Sequence, residues 1–375
     1  MISVSEAVSV VLEKCEPLPV EPVALEDALG RVLAEDVSAD GDLPPFDRAQ
    51  MDGYAVRSED LDVVPARLRV VGEAAAGRGW RGTLGAGEAV RIMTGAPLPS
   101  GADGVQQVEL TRETEDGSEV EILRATAPGQ FFVPRASEIK KGETVLGAGE
   151  EVTAARMAAL ASFGYARVAV RRRPRVAVLA TGEELVPVGE RPGPDQIRDS
   201  NSYSLAAYAA LAGAEVERLP FAGDDTDALA RSIAEAAARS DVLVLSGGVS
   251  MGRYDFTKAA LRALGAEIFF ERVSLRPGKP TVFARLAGDG RRALVFGLPG
   301  NPVSVSVTFN LFARTALRAL QGARTPALVE ESAVLGRGAR GSLERASYLP
   351  ARLTTDEEGR LIAEPLKWGG SSDFV

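Results

Sequence analysis

Between residues 243 and 302 the chain reads LVLSGGVSMGRYDFTK, then LRPGKP, then LVFGLPGNP. The outer two stretches are apolar, strand-like runs that end in glycine, and a basic Pro-Gly turn separates them. Glycine leaves backbone N–H groups bare enough to cradle an oxyanion, and strand C-termini are where open α/β sheets hold ligands. Gly247, Gly248 and the hydroxyl of Ser250 are candidate phosphate contacts; Asp255 is a candidate metal ligand or base, with Lys258 one helical turn further on. Pro299, Gly300, Asn301 and Pro302 form the second loop, with Pro302 placed to open a helix where its missing N–H costs nothing. Arg272, Arg276 and Lys279 set positive charge beside both loops. No Gly-Lys-Ser/Thr follows the glycines, so this is not a Walker loop. The chemistry indicated is the binding of a phosphorylated small molecule.

Other turns carry acids and a hydroxyl. ATGEELV (180–186) sets Glu183 and Glu184 directly after a strand and a glycine. Paired carboxylates there suit Mg²⁺ coordination or general-base work, and acids beside a helix N-terminus fit the same letters. AGDDTDAL (222–229) is ambiguous in the same way at Asp224. In PPFDRAQMDGYAV (44–56), Asp52-Gly53 reads either as a turn or as a carboxylate at a pocket edge. Thr94, in RIMTGAPLPSGAD (91–103), either closes a turn or bonds a ligand. Arg135 and Glu138 stand three residues apart in FVPRASEIKKGE (132–143), where a solvated ion pair is the plain account.

Composition narrows the toolkit. The chain has no histidine, which removes the Ser-His-Asp triad, imidazole acid–base catalysis and His-ligated metals. A single cysteine, Cys15, removes Cys-cluster metal sites and intramolecular disulfides and points to a reducing, cytoplasmic setting. The net charge of −9 argues against a nucleic-acid or anionic-membrane binder. No apolar run approaches the ~18–20 residues of a membrane helix. The N-terminus lacks a basic region and reads as a helix capped by Ser3 and Glu6, not as a signal peptide. With 375 residues, 45% of them hydrophobic, the chain can fill a sizeable core and is expected to make about two to four domains.

Residues 175–321 alternate between strand-like and helix-like segments. Strands are expected at 175–181, 214–221, 241–246, near 266–272, 280–285 and 293–297. Helices are expected from Ser200 to Leu211 with Asn201 as cap, from Asp225 or Thr226 to Arg239, from Asp255 to Leu264, and from Pro302 to Leu320. This is βαβ alternation and implies a mostly parallel sheet covered by helices. Residues 46–141 carry short Val-rich runs broken by Gly, Pro and Asp and read as an all-β module. A helix (153–163), a strand and the basic run 171–174 come next, and a boundary is placed there. A small β segment begins after about Ala323, and the stop soon after Gly369-Gly370-Ser371-Ser372 leaves little room for a final strand, so the C-terminus is expected to be either missing or disordered.

In this order and spacing, MDGYAV, RIMTGAP, TGEEL, SGGVSMGRYDFTK, RPGKP and GLPGNPVS resemble the molybdopterin molybdenumtransferase family (MoeA, and the E domain of gephyrin) across essentially the whole chain. The resemblance implies an α/β multidomain fold: a discontinuous linker domain (1–45 and 142–173), an inserted β domain (46–141), an α/β molybdopterin-binding domain (174–323) and a small β-barrel-like domain (324–375). It implies an elongated homodimer with its active site at the dimer interface. The implied reaction is the last step of molybdenum cofactor synthesis, in which molybdate reacts with adenylylated molybdopterin and AMP leaves. Carried over by motif, the functional acids are Asp52, Glu184, Asp224 and Asp255, the hydroxyl is Thr94, and the basic positions are Arg272, Arg276 and Lys279. Pro299 and Pro302 shape the anion loop, and Ser371 matches a molybdate-contacting serine. Glu184, Asp224 and Asp255 are the candidate Mg²⁺ ligands. Glu138 stands where many relatives have Asp, and Pro350 where many have an arginine, with Arg345 and Arg352 as possible substitutes. Small-molecule substrates, the adenylyltransferase of the preceding step and cofactor-accepting molybdoenzymes are the implied partners. Two other readings are a molybdopterin adenylyltransferase, against which the 170 upstream residues argue, and a gephyrin-like scaffold without catalysis.

Overall fold

A computed structural model of the chain describes residues 1–221, 225–248, 256–288, 291–339, 341–342 and 344–372. It divides into two compact units: unit 1 holds Met1–Glu35, Ala148–Met157 and Ala166–Val375, and unit 2 holds Asp36–Gly147 and Ala158–Tyr165. Among the described residues no helix is long and apolar enough to cross a membrane.

Unit 1 is built on a six-stranded sheet in the order Glu215–Arg218, Arg175–Ala180, Val242–Ser246, Arg291–Leu298, Val282–Gly288, Glu267–Phe270. The first four strands are parallel; Val282–Gly288 alone runs the other way and pairs antiparallel with both of its neighbours, so the sheet is mostly parallel. Its apolar runs are buried on both faces, so neighbouring residues feed opposite layers. Val242 and Val244 pack with Leu205, Phe309 and Val11 of covering helices, whereas Leu243 and Leu245 pack with Leu229, Ile233 and Leu261 on the other side. The helix Val4–Glu13 starts at the expected box: Glu6 N–H donates to Ser3 Oγ (3.1 Å) and Ser3 N–H to the Glu6 carboxylate (2.7 Å). Arg172, in the basic run, grips Asp241 with two bonds of 2.9 Å at the foot of the central strand.

Two elements differ from the sequence reading. The segment 302–320 is not one α-helix: Phe309–Ala313 forms a π turn between helices Pro302–Thr308 and Arg314–Leu320. Side chains draw on the carbonyls four residues back at Thr308, Asn310 and Thr315, and this competes with the regular ladder. Asn201 is not a cap either. It opens the helix Asn201–Leu211, and the Asp199 carboxylate caps instead by accepting from Ser202 N–H (3.0 Å).

The rest of unit 1 is small sheets. Val20–Ala24 pairs with Arg167–Arg171. Val334–Leu335, Leu361–Pro365 and Ala351–Thr355 make a three-stranded sheet, and Ala346–Ser347 runs parallel to Leu275–Arg276.

Unit 2 is mostly β, with two short 3-10 turns (Ser58–Leu61 and Val108–Leu110) and a share of the helix Ala154–Ser162. Its main sheet runs Gly104–Gln107, Gly53–Val56, Glu88–Ile92, Ala66–Ala74, Glu119–Ile122, Thr111–Glu113. Gly53 faces Ile92 on one side and Gln107 on the other, and a Cβ there would lie 1.9 Å from the Gln106 carbonyl oxygen. Only a bare backbone fits. Gly53→Ala is therefore expected to open this corner of the sheet and lower the thermal midpoint of unit 2, visible as loss of amide-exchange protection at Tyr54 and Gln106; unchanged protection would refute the packing argument.

Candidate functional site

In unit 1, Ala180, Ser246 and Leu298 stand in register at the C-terminal ends of three parallel neighbours. The loops leaving these strands therefore emerge side by side. Thr181 N–H donates to Ser246 O (2.8 Å) and Gly247 N–H to Leu298 O (3.1 Å), which stitches the loop roots together. Gly247 and Gly248 adopt φ of +94° and +63°. A Cβ would meet Thr181 O at 2.4 Å from the first and Thr257 Oγ1 at 2.6 Å from the second. The turn thus requires glycine for conformation and for space. Thr257 then fixes it, its hydroxyl donating to Gly247 O and its N–H to Gly248 O.

Asn201 joins this loop to the next. Its Nδ2 donates to Ser246 Oγ (2.9 Å) and to Gly300 O (2.7 Å). Thr181, Glu184, Asp199, Asn201, Gly247, Gly300 and Pro302 line a cavity of about 600 Å³ over these strand ends. Glu184 is exposed there, and its side chain has no hydrogen-bond or ion-pair partner among the described residues.

A second cavity, of about 470 Å³, is lined by Arg276, Lys279, Arg345, Pro299, Asn301, Trp368 and Ser371. The Pro-Gly turn is rigidly seated: Lys279 O accepts from Val273 and Thr281 N–H, and a Cβ at Gly278 (φ +109°) would lie 2.5 Å from Thr308 Cγ2. Asn301 stands in the wall of both cavities, and its Nδ2 donates to Ser371 Oγ at 2.6 Å. Neither Arg276, Lys279 nor Arg345 is paired with a carboxylate among the described residues. Three cations share one hollow.

In unit 2, Asp52 precedes Gly53 and Thr94 comes two residues after Ile92, so the pairing of those strands brings the two side chains together. Thr94 donates to Asp52 Oδ1 from its backbone N–H (2.6 Å) and from its hydroxyl (2.7 Å). These two bonds hold the Asp52 carboxyl below its ordinary value of 3.8.

The sequence-derived candidates therefore fall into groups. Gly247, Gly248, Glu184, Pro299, Gly300, Asn301, Pro302, Ser371, Arg276 and Lys279 line these two adjoining cavities or form their loops. Arg272 is outside both linings; its carbonyl accepts from Ile2 N–H. Asp52 and Thr94 form their own pair in unit 2. The Arg135–Glu138 pair does not form: Arg135 Nε donates to Asp42 (2.7 Å), and Glu138 lies 3.6 Å from Arg48. Each finds a partner on the 42–48 segment, which runs beside it through the bridges Leu43 to Ile139 and Arg48 to Val133. Asp224, Ser250 and Asp255 lie outside the described residues. Among those described, no group of three or more acids, cysteines or histidines is placed to hold a metal. Of the two arginines proposed to stand in for the one absent at Pro350, Arg345 lines the cationic cavity; Arg352 sits on the exposed strand Ala351–Thr355. Sequence reasoning missed Trp368, Asp199 and the tying role of Asn201; Ser200-Asn201 after an Asp looks like helix capping, and nothing local marks a tryptophan near the chain end as a wall.

Glycine loops at aligned strand ends, beside a hollow ringed by cations, define a binder of anionic small molecules on an α/β scaffold. Comparison with known proteins sharpens that class. Residues 2–164 match the family model described as MoeA N-terminal region (domain I and II), and residues 177–319 match the probable molybdopterin binding domain. The chain is 38% identical to the molybdopterin molybdenumtransferase of Bacillus subtilis over all of its own length and 87% of that protein. It is 42% identical to the enzyme of the same name from a Nostoc species, covering 80% of the chain and 70% of the relative. A crystal structure of a molybdopterin biosynthesis MoeA protein from Pyrococcus horikosii superposes with a TM-score of 0.76 at 34% identity, covering 98% of this chain and 90% of that one. The chain belongs to the molybdopterin molybdenumtransferase (MoeA) family.

The Asp52–Thr94 pair has a measurable signature. Because the folded carboxyl titrates below 3.8, its contribution to stability is present above about that pH and is lost as pH falls through the lower, folded value. Thr94→Val removes the hydroxyl donor and is expected to move the Asp52 carboxyl back towards 3.8, read by carboxyl-carbon NMR titration; an unmoved titration would assign the effect to the backbone N–H alone.

Proposed function

We propose that this protein transfers molybdenum to molybdopterin: molybdate is joined to adenylylated molybdopterin, and the phosphoanhydride to AMP is cleaved as AMP leaves. The observation that carries this reading is the junction of the two cavities at Asn301, one bearing bare strand-end loops and the other three cations with no carboxylate partner among the described residues. The reaction must bring an oxometalate dianion up to a phosphate ester. Two unit negative charges ~5 Å apart repel by about 3 kcal/mol at an effective dielectric of ~20. Arg276, Lys279 and Arg345 offset that repulsion, while the loops at Gly247–Gly248 and Pro299–Pro302 position the phosphate end. Ser371, held by Asn301, offers a hydroxyl at the edge of the cationic hollow.

The proposal extends to Mg²⁺, with Glu184, Asp224 and Asp255 as its ligands. Glu184 fits, since it presents an uncommitted hard oxygen donor beside the Gly247 loop. When bound, the ion would polarise the phosphoanhydride. Asp52 and Thr94 are assigned to substrate handling through the family motifs MDGYAV and RIMTGAP. The family's four-domain division, a homodimer, a cytoplasmic setting, and transient contacts with the adenylyltransferase and with cofactor-accepting molybdoenzymes belong to the same proposal. The lone cysteine supports the reducing compartment.

The assay is AMP release from adenylylated molybdopterin with and without molybdate. Lys279→Ala is expected to lower kcat/KM by at least about tenfold, the scale of one lost charge-assisted contact, and to raise the molybdate needed for half-saturation. Wild-type kinetics in that variant would remove the role of the cationic hollow. AMP release that ignores molybdate would overturn the reaction itself.

A further inference from the structure

Pro350 brings no charge to the position where many relatives carry an arginine, and of Arg345 and Arg352 only Arg345 lines the cationic hollow. The backbone around Pro350 brings a third cation to the same place. Ala351 pairs with Pro365 across the strands Ala351–Thr355 and Leu361–Pro365. The pairing runs one step further, with Leu366 N–H donating to Pro350 O at 2.9 Å. Arg337 Nε donates to Pro365 O at 2.7 Å and holds the other side of that step. Lys367 follows directly on this pinned stretch, one residue past the partner of Pro350.

A cavity of about 370 Å³, bounded by Asn201 and Trp368, has Pro350 and Lys367 in its wall, and Lys367 is the one charged residue among those described there. Lys367 also lines a neighbouring cavity of about 460 Å³ with Arg276, Arg337 and Trp368. Arg276 in turn lines the cationic hollow with Lys279 and Arg345. Cations therefore line adjoining walls from Lys279 to Lys367, and no acid stands among the described residues of the three linings. Arg337 is committed to the Pro365 carbonyl, whereas Lys367 is exposed and has no carboxylate partner among the described residues. An ammonium is a compact point charge with three donors on a flexible stem, suited to a tetrahedral oxyanion without the planar match that a guanidinium exploits. We propose that Lys367 is an anion-binding residue of this site, supplying to a tetrahedral oxodianion the charge that Pro350 does not. The inference rests on the reading of the protein as a molybdenum transferase for its choice of molybdate as that dianion. Phosphate shares the shape and charge, and the test separates the two.

The test is titration calorimetry on the full chain with molybdate and, separately, with inorganic phosphate, beside the molybdate dependence of AMP release. Lys367→Met removes the charge and keeps an apolar stem, at an exposed position where folding does not depend on it. It is expected to weaken molybdate binding by about tenfold and to raise the molybdate needed for half-saturation by the same factor. The kcat at saturating molybdate should stay within about twofold, because the loss is one of binding. Lys367→Arg keeps the charge and should bind molybdate as the unchanged chain does. Adding Pro350→Arg to Lys367→Met returns a cation to the same wall and is expected to recover most of the loss, a rescue that packing alone does not give. Unchanged molybdate binding in Lys367→Met, or an equal loss in Lys367→Arg, overturns the proposal, and absence of recovery in the double variant overturns the shared position. A loss confined to phosphate overturns the assignment to molybdate. Molybdate binding that depends on Lys367 in a protein whose AMP release ignores molybdate would keep the residue and discard the reaction.

Discussion

One carboxamide ties together the strand ends of unit 1 that carry the site. Asn201 reaches from the first turn of its helix to the hydroxyl of Ser246 and the carbonyl of Gly300, which belong to loops leaving different strands. Register alone brings those loops to one edge, since Ala180, Ser246 and Leu298 are neighbours across the ladder. Register does not fix the conformation of the loops themselves. The two bonds from Asn201, with those from Thr257 to Gly247 and Gly248, convert parallel exits into a fixed surface. Binding sites gain from such pre-organisation because ordering entropy is spent at folding, before a ligand arrives.

The electrostatic side of the site derives from a second pairing. The chain carries nine more acids than bases, so a cationic hollow has to be assembled locally. The short parallel pair Leu275–Arg276 with Ala346–Ser347 does this, with Tyr348 N–H donating to Arg276 O at 2.8 Å. Arg345 immediately precedes that strand and lines the same hollow as Arg276 and Lys279. Other arginines of unit 1 near acids are committed to ion pairs, as with Arg172 and Asp241 or Arg318 and Glu151. The hollow gathers three cations with no carboxylate among the described residues of its lining.

Much of this was legible in the residues. Dense apolar strands, glycine breaks and the Pro-Gly turn mark the sheet and its loops, because local conformation and burial constrain them directly. The N-terminal capping box is a relation within four residues and was readable for the same reason. Readings failed where the answer depended on distant partners. Asn201 looks like a cap from its neighbours, yet its bonds lie 45 and 99 residues away. Arg135 and Glu138 look like a pair at three residues' spacing, but each meets a partner about 90 residues earlier. The π turn at Phe309–Ala313 depends on three side chains diverting carbonyls, which apolar periodicity does not report.

The helix that begins at Pro302 shows why adjoining hollows stay separate. Residues two apart on a helix are separated by about 200° around its axis, and so point to opposite sides. Ser304 lines the cationic hollow, whereas Ser306 lines the cavity bounded by Asn201 and Trp368. The helix start is thus a partition between them, with Trp368 contributing to the wall on both sides. Below it, the π turn changes the phase of the helix and seats Phe309 and Phe312 against the sheet, both fully buried in its core. The serine partition lies in the regular turn before the π segment and the aromatic anchor within it, so polar division at the sheet edge and packing beneath it are set by successive stretches of one helical segment.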